Sequence, residues 1–402
     1  MKIIYLHQYF NTPKMSGGTR SYEMARRMVK KGHQVHMITS LRDGSSRSGI
    51  WKKEIIDGIN VYWLSVPYDN KMNFYKRLIA FFIYAFEAGR KAIAINGDIV
   101  FATSTPLTIA IPAIKTKKKL KIPMVFEVRD LWPELPIAIG AIKNPILIYL
   151  AKRLERWAYS NSNEIVVLSP GMSEGVAKTG YPIENIHTIP NSSDISLFQL
   201  NKKLNIGLQN KYKWNDEDKI IIYTGTLGEI NGVEYLVDIA NEFTEINNKV
   251  KLLIVGDGIE EQAIRNKAKI YNCLDNNLFL INQLPKNKMP GLYNLSTIAT
   301  SLFIPLKEME ANSANKFFDT LAAGKPIVIN YGGWQKDLIE KYKIGLVLDR
   351  NPQIAAKSIN NLIINEELII EMGANALSLA KSRFSRDKLA HRLINVLELA
   401  IS

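Results

Sequence analysis

Ile220-Ile221-Ile222-Tyr223-Thr224-Gly225-Thr226-Leu227-Gly228 is an apolar run that ends in a glycine loop, ahead of a helix from about Gly232. A short apolar run of this kind is a strand buried on both faces, and a glycine loop handing it to a helix is the turn of a parallel βα unit. The same alternation continues at 251–255, 278–281, 299–303 and 326–329, and Gly256-Asp257-Gly258 closes the second of these strands as Gly225–Gly228 closes the first. Towards the N-terminus a separate series reads as strands at 2–7, 35–39, 98–102, 124–128 and 164–168, with a helix from 19 to about 31 that Gly32 ends. The expected fold class is therefore α/β: two Rossmann-like, doubly wound domains of nearly equal size. Their expected limits are 1–190 and 191–384, with the amphipathic tail 385–402 returning to the first. The polar stretch 202–218 reads as linker or surface. Ligands of such sheets bind at the carboxyl ends of the strands, so two sets of loops are expected to line a cleft.

A chain of 402 residues, 47% hydrophobic and 22% charged, is globular and long enough for two cores. Its single cysteine, Cys273, leaves no disulfide framework and fits a reducing compartment. The apolar run at 78–86 is too short to span a membrane, and Lys2 is followed by too few apolar residues for a signal peptide. Of the net charge of +14, nearly all lies in residues 1–190, with 27 Lys and Arg against 14 Asp and Glu. A basic half beside a neutral half suggests one domain facing something anionic: lipid, a lipid pyrophosphate or nucleic acid.

Four places can carry chemistry. Gly17-Gly18-Thr19 precedes a helix, and reads either as a turn with a cap or as a backbone that approaches a phosphate at the helix N-terminus. Glu127-Val128-Arg129-Asp130-Leu131-Trp132-Pro133-Glu134 gathers four charges and a Trp at the end of a strand, as a structural ion pair or a binding site. The Gly225–Gly228 loop is the third. In the fourth, 312–326, Asn312 or Ser313 can cap a helix that Gly324 closes, with Lys316 and Asp319 on one face. A lysine in a first turn opposes the helix dipole, so Lys316 suits either a bound pyrophosphate or a surface pair with Asp319.

In this order the four places resemble the retaining GT-B glycosyltransferases of family 4, over essentially the whole chain. Leu168-Ser-Pro-Gly-Met172, Ile189-Pro-Asn191-Ser-Ser-Asp194 and Ala323-Gly324-Lys325-Pro326 followed by Gly332-Gly333 add to the likeness. Val128–Glu134 together with Asn315–Asp319 looks like the fucosaminyltransferase subgroup of O-antigen and capsule assembly. The resemblance implies a nucleotide-sugar donor, UDP-linked and in that subgroup an N-acetylated deoxyhexosamine, bound through Gly225, Thr226, Leu227, Gly256, Asp257, Leu284, Asn315, Lys316 and Asp319. It implies a lipid-pyrophosphate-linked sugar acceptor near His7, Gly17, Gly18, Thr19 and Trp132, and catalytic roles for Glu127, Arg129, Asp130 and Lys316. Asp319 stands where the family usually has the Glu that bonds the donor ribose. Ala311, with Glu310 beside it, stands where a second Glu is usual. Thr226 and Asn231 occupy the positions of the family's usual Arg and Lys for the pyrophosphate, and Lys316 is the expected substitute.

No metal-ligand cluster or cofactor motif is evident, so neither metal nor cofactor is expected; backbone N–H groups, helix dipoles and cations would neutralise the departing diphosphate. The segment 71–94 sets Phe74, Leu78, Phe82 and Phe86 among Lys71, Lys76, Arg77, Arg90 and Lys91. It reads as an amphipathic helix, packed on the core or lying on anionic lipid. The expected location is the cytoplasmic, inner face of a bacterial plasma membrane. A non-hydrolysing nucleotide-sugar epimerase is the rival within the fold. A nucleic-acid-binding protein is the rival outside it, without a supporting motif.

Overall fold

The computed structural model describes residues 1–15, 17–41, 49–66, 74–200 and 207–402, and for 74–78, 199 and 200 the backbone alone. The chain divides into two compact units. The first comprises 1–12, 19–190 and 387–402, and the second 13–18 and 191–386.

The first unit is built on eight strands: β1 (Lys2–Leu6), β2 (Gln34–Leu41), β3 (Trp51–Ile56), β4 (Ile59–Ser65), β5 (Ile99–Thr103), β6 (Met124–Val128), β7 (Glu164–Val167) and β8 (Ile186–Thr188). They lie in the order β3-β4-β2-β1-β5-β6-β7-β8. All neighbours run parallel except β3 and β4, which form an antiparallel hairpin at the edge. The doubly wound parallel sheet is as expected, and this edge hairpin is added to it. Asp57 and Gly58 form the two-residue turn, both at positive φ, which is the geometry that twists a tight hairpin correctly. The chain leaves β1 for β2 on one side and returns to β5 on the other, so the point where the order reverses lies between β1 and β5. Helices α1 (Arg20–Lys30), α2 (Phe74–Ile95), α3 (Ala110–Leu120), α4 (Glu134–Ala138) and α5 (Pro145–Ser160) connect these strands. The last helix, Arg386–Leu399, reaches this unit through Asp387, which binds Arg27 of α1 at 2.5 Å, and Arg392, which donates to the Thr188 carbonyl.

The second unit holds β9 (Lys219–Thr224), β10 (Val250–Val255), β11 (Leu278–Ile281), β12 (Ile298–Ser301), β13 (Ile327–Ile329) and β14 (Gly345–Val347), all parallel, in the order β11-β10-β9-β12-β13-β14. The order reverses between β9 and β12. Ile221, Tyr223, Leu252 and Ile254 pack one face of this sheet under Phe243 and Ile359, while Ile220, Ile222 and Leu253 face Phe198 and Trp214. Strands buried on both faces explain why they read as unbroken apolar runs.

Candidate active site

At the end of β9 the Gly225–Gly228 loop is fixed by its neighbour. The Gly225 N–H donates to the Val255 carbonyl at 3.0 Å and the Leu227 N–H to the Asp257 carbonyl at 3.0 Å. The backbones approach so closely that a Cβ on Gly256 would lie 1.8 Å from the Gly225 oxygen, and one on Gly258 2.1 Å from the Leu227 oxygen. These two glycines thus serve loop-on-loop packing. Leu227 is buried in the core, which leaves it only its backbone for a ligand. The Asp257 carboxylate accepts the Gln283 N–H at 3.3 Å and steadies the loop that carries Leu284, itself packed on the core. Thr226 is exposed at the tip, and its N–H, like that of Gly228, makes no hydrogen bond among the described residues and can face a phosphate.

Helix Asn315–Ala323 begins at the same edge. Its cap is not the expected one. Ala314 holds the N-cap position without a side-chain bond, while Ser313 accepts the Asn191 N–H at 3.1 Å and Asn312 accepts that of Ala314 at 3.1 Å. The helix points Lys316 at the glycine loop. Its Nζ donates to the Tyr223 hydroxyl at 2.9 Å and to Asn231 Oδ1 at 3.3 Å, and lies 4.2 Å from the Tyr223 ring centroid and 5.5 Å from that of Phe303. Among the described residues no carboxylate pairs with it. Enclosure without a counter-charge pushes its pKa down to about 7. Asn231, at the position where the family's lysine is usual, is therefore in the cluster as an acceptor for Lys316.

Lys316 and Asp319 do not pair. Asp319 is buried, and one of its oxygens takes the ammonium of Lys286, which also lies 5.6 Å over the Phe198 ring; the other oxygen has no hydrogen-bond partner. Lys286 was absent from the sequence expectation. The resemblance could have found it, because it follows Leu284-Pro285 at the end of β11.

At the end of β6 the charges split into two groups. Glu127 is fully buried: Oε1 binds Arg20 at 2.9 Å and Oε2 accepts the Thr103 hydroxyl at 2.6 Å. Arg20 spends its remaining donors on the Pro190 and Ile189 carbonyls. Burial alone would raise the Glu127 carboxyl, but Arg20, Arg129 and the Thr103 hydroxyl outweigh it and hold its pKa below the usual range. Both Glu127 oxygens are thus engaged within the fold, whereas the catalytic role expected of it calls for an open carboxylate. Its work is to tie α1, β5 and β6 to the end of the unit. Arg129 and Asp130, just beyond the buried Val128, are partly exposed. The Arg129 guanidinium lies 3.3 Å from His7 Nε2, a contact in which the arginine can only be the donor. Burial pushes Asp130 up to about 6 against the opposing Arg129 charge. Trp132 is partly exposed a few residues on, and Thr19 caps α1 without a side-chain bond. Gly17 and Gly18 fall in the stretch assigned to the second unit, not with His7 and Trp132. Other histidines are engaged locally: His36 stacks on Tyr62 and His187 meets Glu164 at 2.7 Å. Among the described residues no group of His, Cys, Asp and Glu could hold a metal ion.

Residues 17–197 match the family described as Glycosyltransferase Family 4, and residues 207–379 that described as Glycosyl transferases group 1. Spore coat protein SA of Bacillus subtilis is 25% identical over 45% of this chain and 48% of its own. WcaI of Escherichia coli, which bears the name of a colanic acid biosynthesis glycosyl transferase, is 25% identical over 64% of this chain and 66% of its own. The chain thus spans about half to two thirds of the length of these curated relatives. Among solved structures, sucrose-phosphate synthase from Thermosynechococcus elongatus aligns with a TM-score of 0.78 at 14% identity, over 99% of both chains. HepE of Anabaena, solved in complex with UDP-glucose, aligns with a TM-score of 0.72 at 15% identity, over 99% of this chain and 100% of its own. Taken together, residues 17–197 carry a family 4 glycosyltransferase domain and residues 207–379 a group 1 glycosyltransferase domain, and the paired sheets have the GT-B fold.

Proposed function

We propose that the protein moves a sugar from a UDP-sugar, with an N-acetylated deoxyhexosamine as the donor sugar, to a lipid-pyrophosphate-linked sugar, with retention of configuration. The setting is bacterial surface polysaccharide synthesis on the cytoplasmic face of the plasma membrane. The observation that carries this reading is the uncompensated Lys316 ammonium beside the Gly225 loop and at the start of helix Asn315–Ala323. A half-buried cation with no carboxylate partner is costly unless an anion completes it. A diphosphate would meet Lys316, the Thr226 N–H and the uncapped helix N-terminus together. Asp319, held by Lys286 with one oxygen unused, suits a ribose hydroxyl. HepE, with its UDP-glucose, and the colanic acid name of WcaI support the nucleotide and the pathway class.

In the reaction the bond from the anomeric carbon to the diphosphate breaks, and the charge developing on the leaving oxygen is drawn to Lys316. On the retaining, front-face route that phosphate accepts the acceptor hydroxyl proton, so no strong base is needed. Arg129 and Asp130 are assigned to orienting the acceptor. Incubation of the protein with a panel of nucleotide-sugars and a lipid-pyrophosphate-linked sugar, read by mass spectrometry, tests the proposal. One added sugar from a UDP-linked donor is expected. Turnover of the donor sugar without any acceptor would instead favour an epimerase.

A further inference from the structure

Helix α5 is inside out for a helix packed on a sheet. Ile146 is 67% exposed, Tyr149 62% and Leu150 51%, and Leu147 and Trp157 are also exposed. What the helix buries is Glu155, Ala158 and Tyr159. A surface helix ordinarily turns its apolar stripe to the core, so five large apolar side chains left outside need a partner. The exposed charged positions of this segment are Lys143, Lys152, Arg153 and Arg156, all basic, and the one acid of the helix, Glu155, faces inward.

The neighbouring helices extend the same character. Helix α3 packs between α5 and α2 and has exposed lysines and no acid. On α2, Ile79, Phe82 and Phe86 are exposed, and Lys115 of α3 lies 5.0 Å over the Phe86 ring. The face is therefore apolar at both flanks and basic throughout. A second copy of the chain would bring like charges together, which opposes self-association. A surface with acyl chains beneath anionic headgroups satisfies both features.

We infer that α5 docks on an anionic lipid bilayer, with Ile146, Leu147 and Leu150 entering the acyl boundary and Arg153 and Arg156 in the headgroup layer. The inference rests on the proposed lipid-linked acceptor for its purpose, but the surface itself stands on exposure and charge.

Co-sedimentation of the full chain with vesicles of phosphatidylglycerol and phosphatidylcholine, against phosphatidylcholine alone, tests it. Binding to the anionic vesicles is expected, weakening as salt rises. The double change Leu147→Ser and Leu150→Ser should lower partitioning by at least ~10-fold, since each removes a large apolar side chain from the acyl boundary. Ile370→Ser, an exposed apolar residue of the other unit, should leave partitioning unchanged. Trp157→Phe should remove part of the blue shift in tryptophan emission that accompanies binding. Calorimetric UDP binding on the same preparations separates the two readings: docking through α5 without UDP binding leaves this inference standing while the donor proposal falls. No binding of the unaltered chain to anionic vesicles overturns it, as does equal binding by the serine variant. A concentration-dependent dimer that the serine change abolishes, without vesicle binding, would make α5 an interface between copies and also overturns it.

Discussion

Both sheets set a cation beside the carboxyl end of a strand at their reversal points, and the two cations are held in opposite ways. Arg20 meets a fully buried carboxylate and two backbone carbonyls, so its charge is satisfied within the fold. Lys316 meets a phenol, an amide oxygen and two ring faces, none of which carries a full negative charge. Charge at a strand end is thus not by itself a mark of function. A closed pair holds the scaffold, whereas an open cation leaves a charge that an anionic ligand can complete.

The largest expected effect lies on the closed pair. Glu127→Gln leaves Arg20 buried without its counter-ion and should lower stability by ~3–5 kcal/mol, read from urea unfolding. A loss under ~1 kcal/mol would mean that the pair is not structural and that Glu127 is available for chemistry. The open cation should behave in reverse. Lys316→Met should leave stability unchanged or raised, because a poorly solvated charge is removed, yet weaken UDP binding ~10–100-fold by calorimetry, the range for a charge-assisted contact. Equal UDP affinity in this variant would assign the diphosphate to other groups.

Asp319→Ala should have a smaller effect, about 10-fold on UDP affinity, as expected for the loss of one hydrogen bond to a charged group. Unchanged affinity would sink the ribose role. The smallest effect belongs to metal removal: sugar transfer should survive EDTA, since on the proposed route Lys316 and backbone N–H groups supply the neutralising charge. Loss of transfer restored by Mg²⁺ or Mn²⁺ would contradict that.

Much of the fold was legible because strands buried on both faces leave unbroken apolar runs between glycine loops, as at Ile220–Tyr223. The β3–β4 hairpin is less legible because its edge strand, Trp51–Ile56, is half-exposed and carries no unbroken apolar run, although Asp57-Gly58 is the turn such a hairpin uses. At the sites, residue types were legible and their partners were not. Glu127 and Asp130 stand three apart and look alike in sequence, but one is closed by Arg20, 107 positions away. The outward face of α5 was hidden for a similar reason. An apolar-rich segment of this length suits a core-packed helix as well as an exposed one, and only the structure places Glu155 and Tyr159 on the inner face. The expected lipid contact was placed on 71–94 instead, of which Lys71, Met72 and Asn73 lie outside the described residues, as do the side chains of Phe74, Lys76, Arg77 and Leu78.

The Lys316 amine also carries a pH signature. Its pKa is about 7 in the fold against an ordinary 10.5, so between these values the unfolded chain holds a proton that the folded chain has released. Its contribution to stability therefore rises with pH across that window. A bound diphosphate favours the ammonium, so binding at pH 8 must draw the proton back. Calorimetric titration of UDP at pH 8, in buffers of different ionisation enthalpy, measures this directly. The unaltered protein should take up about one proton per UDP bound, and Lys316→Met none. Binding of UDP with no proton uptake, or equal uptake in the two proteins, would show that Lys316 is not the cation that receives the diphosphate.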